Sequence, residues 1–216
     1  MAADRPNARP YAIAVALLAW AALMLQLVLT LDLVRANGQG VGWGLVVYFG
    51  YFTILSNLLA ALAATMSLVA RDSPVGRFFA RDSTVTGVTA AIATVGLAYF
   101  GLLRHVWDPQ GWQFIADVAL HYVVPALFFG YWLLAVRPDR VHWADVPSWT
   151  LFPIAYLVYA LARGALIGSY PYYFIDIGAI GYGQALVNAL GILALFLAVA
   201  AALVITARLR LRIARH

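Results

Sequence analysis

Two short stretches carry the side chains that could do chemistry. YFTILSNLL, residues 51–59, sets Thr53, Ser56 and Asn57 three and four residues apart inside a long apolar run. Side chains at that spacing share one face of a helix. DVALHYVVPALFFGYW, residues 117–132, places Asp117, His121 and Pro125 at intervals of four. A hydroxyl is a weak nucleophile until a neighbouring base takes its proton, and histidine is the usual base near neutral pH. Thr53 and His121 on facing helices would supply that pair. Asp117, one turn from His121, could accept a proton from one ring nitrogen and fix the tautomer, which completes the logic of a triad. Asn57 or Arg163 could stabilise an oxyanion in a low-dielectric cavity. There is no G-x-S-x-G elbow, so the soluble-hydrolase arrangement does not apply.

Each residue also has a plainer role. A membrane-buried threonine bonds back to the carbonyl four residues earlier, here Phe49. Ser56 and Asn57 fit the polar contacts that hold membrane helices together. Asp117 could be a solvated carboxylate at the interface. Arg163 could snorkel to the interface, or bind a carboxylate or phosphate with its planar fork. Asp176 could be a loop acid or a partner for Arg163 or Arg104. His121 stands apart, because an ionisable residue deep in a span marks a functional site by default. Pro125 has no N–H to offer the His121 carbonyl, which predicts a kink beside the imidazole.

Composition says what must hold these residues. The chain has 216 residues, 64% hydrophobic and 11% charged, where a soluble domain carries about a quarter charged. Several apolar stretches approach the roughly 20 residues a helix needs to cross a bilayer. This reads as an all-α polytopic membrane protein, a bundle of six transmembrane helices forming a single domain over residues 1–216. Spans are expected at about 11–34, 45–69, 83–103, 114–136, 148–165 and 183–207. The first is too long and continuous for a cleaved signal and is read as retained.

Cysteine is absent, as are lysine and glutamate. Disulfides, thiolate nucleophiles and iron–sulfur ligation therefore drop out. The net charge of +5 does not indicate a nucleic-acid partner, because the arginines sit at span ends and no basic, aromatic groove is visible. Eleven of them, from Arg5 and Arg9 through Arg71, Arg77, Arg81, Arg137 and Arg140 to the tail, fall on one side; Arg35, Arg104 and Arg163 fall on the other. The positive-inside rule then expects both termini in the cytoplasm. Depth counted at about 1.5 Å per residue puts Thr53 and His121 at one level, on the order of 12 Å below the outer surface. Gln26, Tyr99, Tyr156, Tyr159, Arg163 and Asn188 share that half.

The two motif neighbourhoods, with RHVWDPQGWQ and YPYYFIDIGAIGYG, resemble a family of bacterial six-span membrane proteins. More distantly, the motifs and the six-span plan are similar to the androgen-induced and androgen-dependent-TFPI-regulating transmembrane hydrolases. That likeness implies a threonine nucleophile early in the chain, matching Thr53, and a later histidine, matching His121. It also implies hydrolysis of fatty acid esters of hydroxy fatty acids. The reading from residues and resemblance together is an intramembrane lipid-ester hydrolase without cofactor or metal, acting on a membrane lipid or lipid-like ester.

Other classes fit parts of the pattern. An acyltransferase would replace water by an alcohol or amine, and a transporter would use His121, Asp117 and Arg163 as a proton or anion site. A purely structural or partner-binding protein would make the polar layer packing only. A b-haem protein needs paired buried histidines, but His105 and His142 lie in connections and His216 ends the chain. A zinc site lacks recognisable ligand spacing.

Overall fold

The structure is a computed structural model and describes residues 8–70 and 72–214; Arg5, Arg71, Arg215 and His216 lie outside the described residues. The described residues form helices and no strand, in the order α1 (Ala8–Ala36), α2 (Val41–Tyr48), α3 (Phe52–Val69), α4 (Pro74–Phe79), α5 (Asp82–Ala98), α6 (Gly111–Val118), α7 (Val124–Ala135), α8 (Val146–Ile167) and α9 (Ile177–Ile213). Single π-helical turns, Tyr99–Leu103 and Ala119–Val123, extend α5 and join α6 to α7. Six of these helical stretches are long and apolar enough to cross a membrane. Only helices, with every backbone bond made internally, serve that purpose in an all-α chain.

The expected second span, 45–69, is not continuous. It breaks at Phe49–Tyr51, where Gly50 N–H bonds back to Val47 O at 3.1 Å and the chain restarts at Phe52. The cause is local and external together. Gly50 packs against the Arg163 guanidinium so tightly that a Cβ there would lie 3.1 Å from Cζ. Tyr156 and Tyr159 hydroxyls then donate to the freed carbonyls of Gly50 (3.0 Å) and Phe49 (3.3 Å). Thr53 therefore stands in the first turn of α3.

The other expected spans lie within a few residues of α1, α5, α6–α7 and α8, and the last extends to Ile177–Ile213. α8 contains Pro153 and ends on Gly168 in the left-handed region (φ 68°). α9 is kinked at Gly181 (φ 74°).

Arg77, Arg81, Arg137, Arg140 and the tail arginines 208–212 mark one end of the bundle. There, Arg137 N–H donates to Asp82 (2.9 Å) and Trp149 Nε1 to Ser83 (3.1 Å). The opposite end, the site end, holds the α1–α2 and α8–α9 connections and the polar residues.

The core between the ends is built on small residues. Ala60, Ala61, Ala63 and Ala64 of α3 and Ala12 and Ala19 of α1 are all fully buried. Without hydrophobic drive between helices in lipid, close backbone approach at such residues supplies the packing. Large side chains fill the rest, with Phe128, Tyr131 and Trp132 of α7 buried. Hydroxyls towards the arginine-rich end take aromatic donors: Trp20 to Thr65 (3.0 Å), Trp132 to Thr86 (2.9 Å) and Tyr131 to Ser67 (3.2 Å). On the face of α3 that carries Thr53, Ser56 and Asn57, those three and Ala60, Ala64 and Ser67 are buried; Phe49, in the break, is 40% exposed. Overpacking a core costs about 1–3 kcal/mol. Ala60→Leu is accordingly expected to lower the thermal midpoint of detergent-purified protein, read by intrinsic fluorescence, while the exposed Leu17→Ala leaves it within error.

Candidate active site

Three of the site's polar residues stand where a helix is interrupted. Thr53 opens α3 after the break; Tyr99 and His121 each lie in a π turn, with Asp117 one turn before His121. Isolated π turns inside α-helices are rare and concentrate at functional positions. The second arises beside Pro125: Val124 N–H reaches Ala119 O, five residues back, in place of the usual four. The predicted kink is thus a π turn. The His121 carbonyl faces α5 at Gly96, where a Cβ would stand 3.0 Å from that oxygen.

These turns bring Thr53 Oγ1 to 3.3 Å from His121 Nε2. On the far side of the ring, Nδ1 lies 3.0 Å from the Asp117 carbonyl and 3.2 Å from its carboxylate Oδ1. Both are acceptors, so the network assigns the ring proton to Nδ1 and leaves the Nε2 lone pair facing Thr53. Tyr99 hydroxyl donates to Asp117 Oδ2 at 2.5 Å. Its ring stacks on the imidazole at 3.9 Å between centroids and 16° between planes. Asp117 is 5% exposed, and the imidazole is held from its edge and from its face.

Thr53 differs from six other helical threonines. Thr30, Thr65, Thr86, Thr89, Thr94 and Thr150 each donate to the carbonyl four residues earlier, at 2.7–2.8 Å. For Thr53 that residue is Phe49, in the break, and its carbonyl takes Tyr159 instead. The Thr53 hydroxyl is left for His121 and for Tyr172, whose hydroxyl lies 3.4 Å from both Oγ1 and the backbone N of Thr53. Tyr172 comes from the α8–α9 connection, and burial pushes its phenol above the ordinary value, so it stays a neutral donor. No side chain caps α3. Its first N–H groups, which carry the positive end of the helix dipole, surround Thr53.

Asn57 joins the two halves. Its amide donates to Thr53 O at 2.8 Å and to Leu120 O at 3.2 Å, so it clamps the residue of the hydroxyl to the residue before the imidazole. Both amide hydrogens point at main-chain carbonyls and away from an oxyanion. Ser56 is fully buried beside it, with no hydrogen-bond partner for Oγ. Arg163 is not brought to Thr53 or His121. It is 8% exposed, donates to Ser169 O at 2.8 Å and packs on Gly50, so it holds the break and the connection that carries Tyr172. Asp176 caps α9 through Gly178 and Ala179 N–H groups (3.0 and 3.2 Å). Asn188 donates to Phe174 O at 2.8 Å.

Two cavities meet at this cluster. One, of about 120 Å³, lies between α3, α5, α8 and α9. The other, of about 350 Å³, lies towards α1 and α6 and includes Gln26, Gln113, Asp117 and His121. Thr53, Tyr99, Leu103 and Tyr172 border both. Gln26 and Gln113 are joined by an amide–amide bond of 2.8 Å. Among the described residues no three His, Cys, Asp or Glu side chains converge as metal ligands would.

Sequence reasoning singled out Thr53, Asn57, Asp117 and His121, which the fold brings together, but not Tyr172 and the part Tyr99 plays. Tyr172 looks like one more interfacial aromatic in a loop of several. No family model, no curated protein and no solved structure matches the chain. The hydrogen-bond pattern predicts the Nδ1–H tautomer for His121. Selective ¹⁵N-histidine NMR in micelles near neutral pH should show a pyridine-type Nε2; an Nε2–H tautomer would contradict the assignment.

Proposed function

We propose that the protein is an intramembrane hydrolase of lipid esters, with Thr53 as nucleophile and His121 as general base. The observation that carries this reading is the 3.3 Å approach of Thr53 Oγ1 to His121 Nε2 with Nδ1 held by Asp117. Such contacts are often long before substrate binds. The site would work from the leaflet at the site end, opposite the arginine-rich face.

Thr53 Oγ1 attacks the ester carbonyl carbon while its proton moves to Nε2. The imidazolium that forms is balanced by Asp117, one of whose oxygens already takes the Tyr99 proton donor. The carbonyl oxygen becomes an oxyanion. The Thr53 N–H, now engaged by the Tyr172 oxygen at 3.4 Å, and the Tyr172 hydroxyl are the donors within reach of it. A helix N-terminus in a water-poor cavity favours that charge. Collapse breaks the carbon–oxygen bond to the alcohol, which leaves with the proton from Nε2, and the acyl group stays on Thr53. A water then gives a proton to Nε2 and attacks the acyl carbon. The acid departs as that proton returns to Thr53. An alcohol or amine in place of the water makes the same steps an acyl transfer.

A detergent-solubilised assay with p-nitrophenyl octanoate tests this. Thr53→Ala should abolish turnover, Thr53→Ser should retain part of it, and His121→Ala should lower it by about a hundred- to ten-thousandfold. Tyr172→Phe should lower kcat by up to about a hundredfold with little change in KM. Hydrolysis that is equal in wild type and Thr53→Ala, with both proteins folded, rules the mechanism out.

A further inference from the structure

The two cavities differ in chemistry and are both bordered by Thr53, so an ester carbonyl held there must send its two limbs in different directions. Along the smaller cavity the walls are aliphatic and aromatic beyond the tyrosines around Thr53. Its one further hydroxyl, Thr94, is engaged by the Ala90 carbonyl at 2.8 Å. On α9 the lining runs from Leu186 to Phe196, about 15 Å of helix. Phe196, 1% exposed, lies at its arginine-rich limit. Ile154, Leu186 and Leu190, which also line it, are 45%, 59% and 54% exposed on the outside of the bundle. The cleft between α8 and α9 therefore opens sideways, where the hydrocarbon of a bilayer would lie.

The larger cavity offers amides, a carboxylate and the imidazole. His121 borders that cavity and not the smaller one. This fixes the direction of the ester, because the leaving oxygen must receive its proton from His121 Nε2. The alcohol must therefore sit on the His121 side, and the acyl limb must point the other way.

We propose that the apolar chamber between α3, α5, α8 and α9 is an acyl-chain site filled sideways from the membrane, and that the opposite chamber takes a polar alcohol. The substrate class is then an ester of one medium-length acyl chain with a hydrogen-bonding alcohol, whose polar groups meet Gln26 and Gln113. This rests on the Thr53–His121 reading for the direction of the ester. The occupancy of the apolar chamber by a single chain rests on the cavity alone. Ala189, 9% exposed, lies part-way along the lining, so a large side chain there shortens the chamber, whereas Phe196→Ala lengthens it.

The test uses full-length protein in nanodiscs and a palmitic acid carrying a terminal diazirine, with adducts mapped by mass spectrometry. Adducts are expected on the α8 and α9 lining, competed by excess palmitate and reduced about tenfold or more in Ala189→Trp. Adducts spread without competition over lipid-facing positions such as Leu17 and Val28 overturn the acyl site. In parallel, p-nitrophenyl acetate, octanoate and palmitate are compared. Ala189→Trp should lower octanoate and palmitate turnover about ten- to a hundredfold relative to acetate, and Phe196→Ala should raise palmitate relative to octanoate. Competed adducts in the chamber with no Thr53-dependent hydrolysis would uphold the chain site and defeat the hydrolase reading. Thr53-dependent hydrolysis with an unmoved chain-length profile and no chamber adducts would do the reverse.

Discussion

The backbone's need for hydrogen-bond partners in a membrane governs this structure. An interrupted helix frees N–H and C=O groups that lipid cannot satisfy. The protein places three interruptions at one level, at Phe49–Tyr51, Tyr99–Leu103 and Ala119–Val123, and answers them with side chains. Tyr156 and Tyr159 take the carbonyls of Gly50 and Phe49, Asn57 takes that of Leu120, and Tyr172 takes the Thr53 N–H. Most of the polar residues at the site end are explained by that requirement before any chemistry is invoked.

What the requirement does not explain is the remainder, and the remainder is organised. Thr53 Oγ1 could have bonded to its own helix, as six other threonines do, but the break removes that option and turns the hydroxyl to His121. The imidazole has its edge fixed by Asp117 and its face covered by Tyr99. Buried polar networks are costly when incomplete, so a chain with 64% hydrophobic residues concentrates them where they also orient one hydroxyl and one base. The two cavities meeting at that hydroxyl give the arrangement room for a ligand.

Much of the scaffold was legible in the sequence, because span length and apolar content are one-dimensional properties. The shared buried face of α3 followed from helical spacing, and so did the irregularity beside Pro125, although a proline indicates a defect without saying whether it will be a bend or a π turn. The break at Gly50 was not legible. VVYFGYFTI is as apolar as the helix it interrupts, and the interruption is held by Arg163, Tyr156 and Tyr159, over a hundred positions away. Tyr172 was hidden for a related reason: among the aromatics of its loop, only the packing of α8, α9 and α3 selects the one that reaches Thr53. Arg163 was noticed for its charge, yet its role in the fold comes from its bulk and its bond to Ser169 O.

The claim on which the functional account turns is that the Thr53 hydroxyl is activated by His121, and covalent trapping addresses it directly. Detergent-purified wild type, Thr53→Ala and His121→Ala would be treated with a fluorophosphonate, and adducts located by peptide mass spectrometry. An adduct is expected on Thr53 in the wild type, none in Thr53→Ala, and loss of the Thr53 adduct in His121→Ala. Well-folded wild-type protein that takes no adduct at Thr53, or takes it equally without His121, would contradict it.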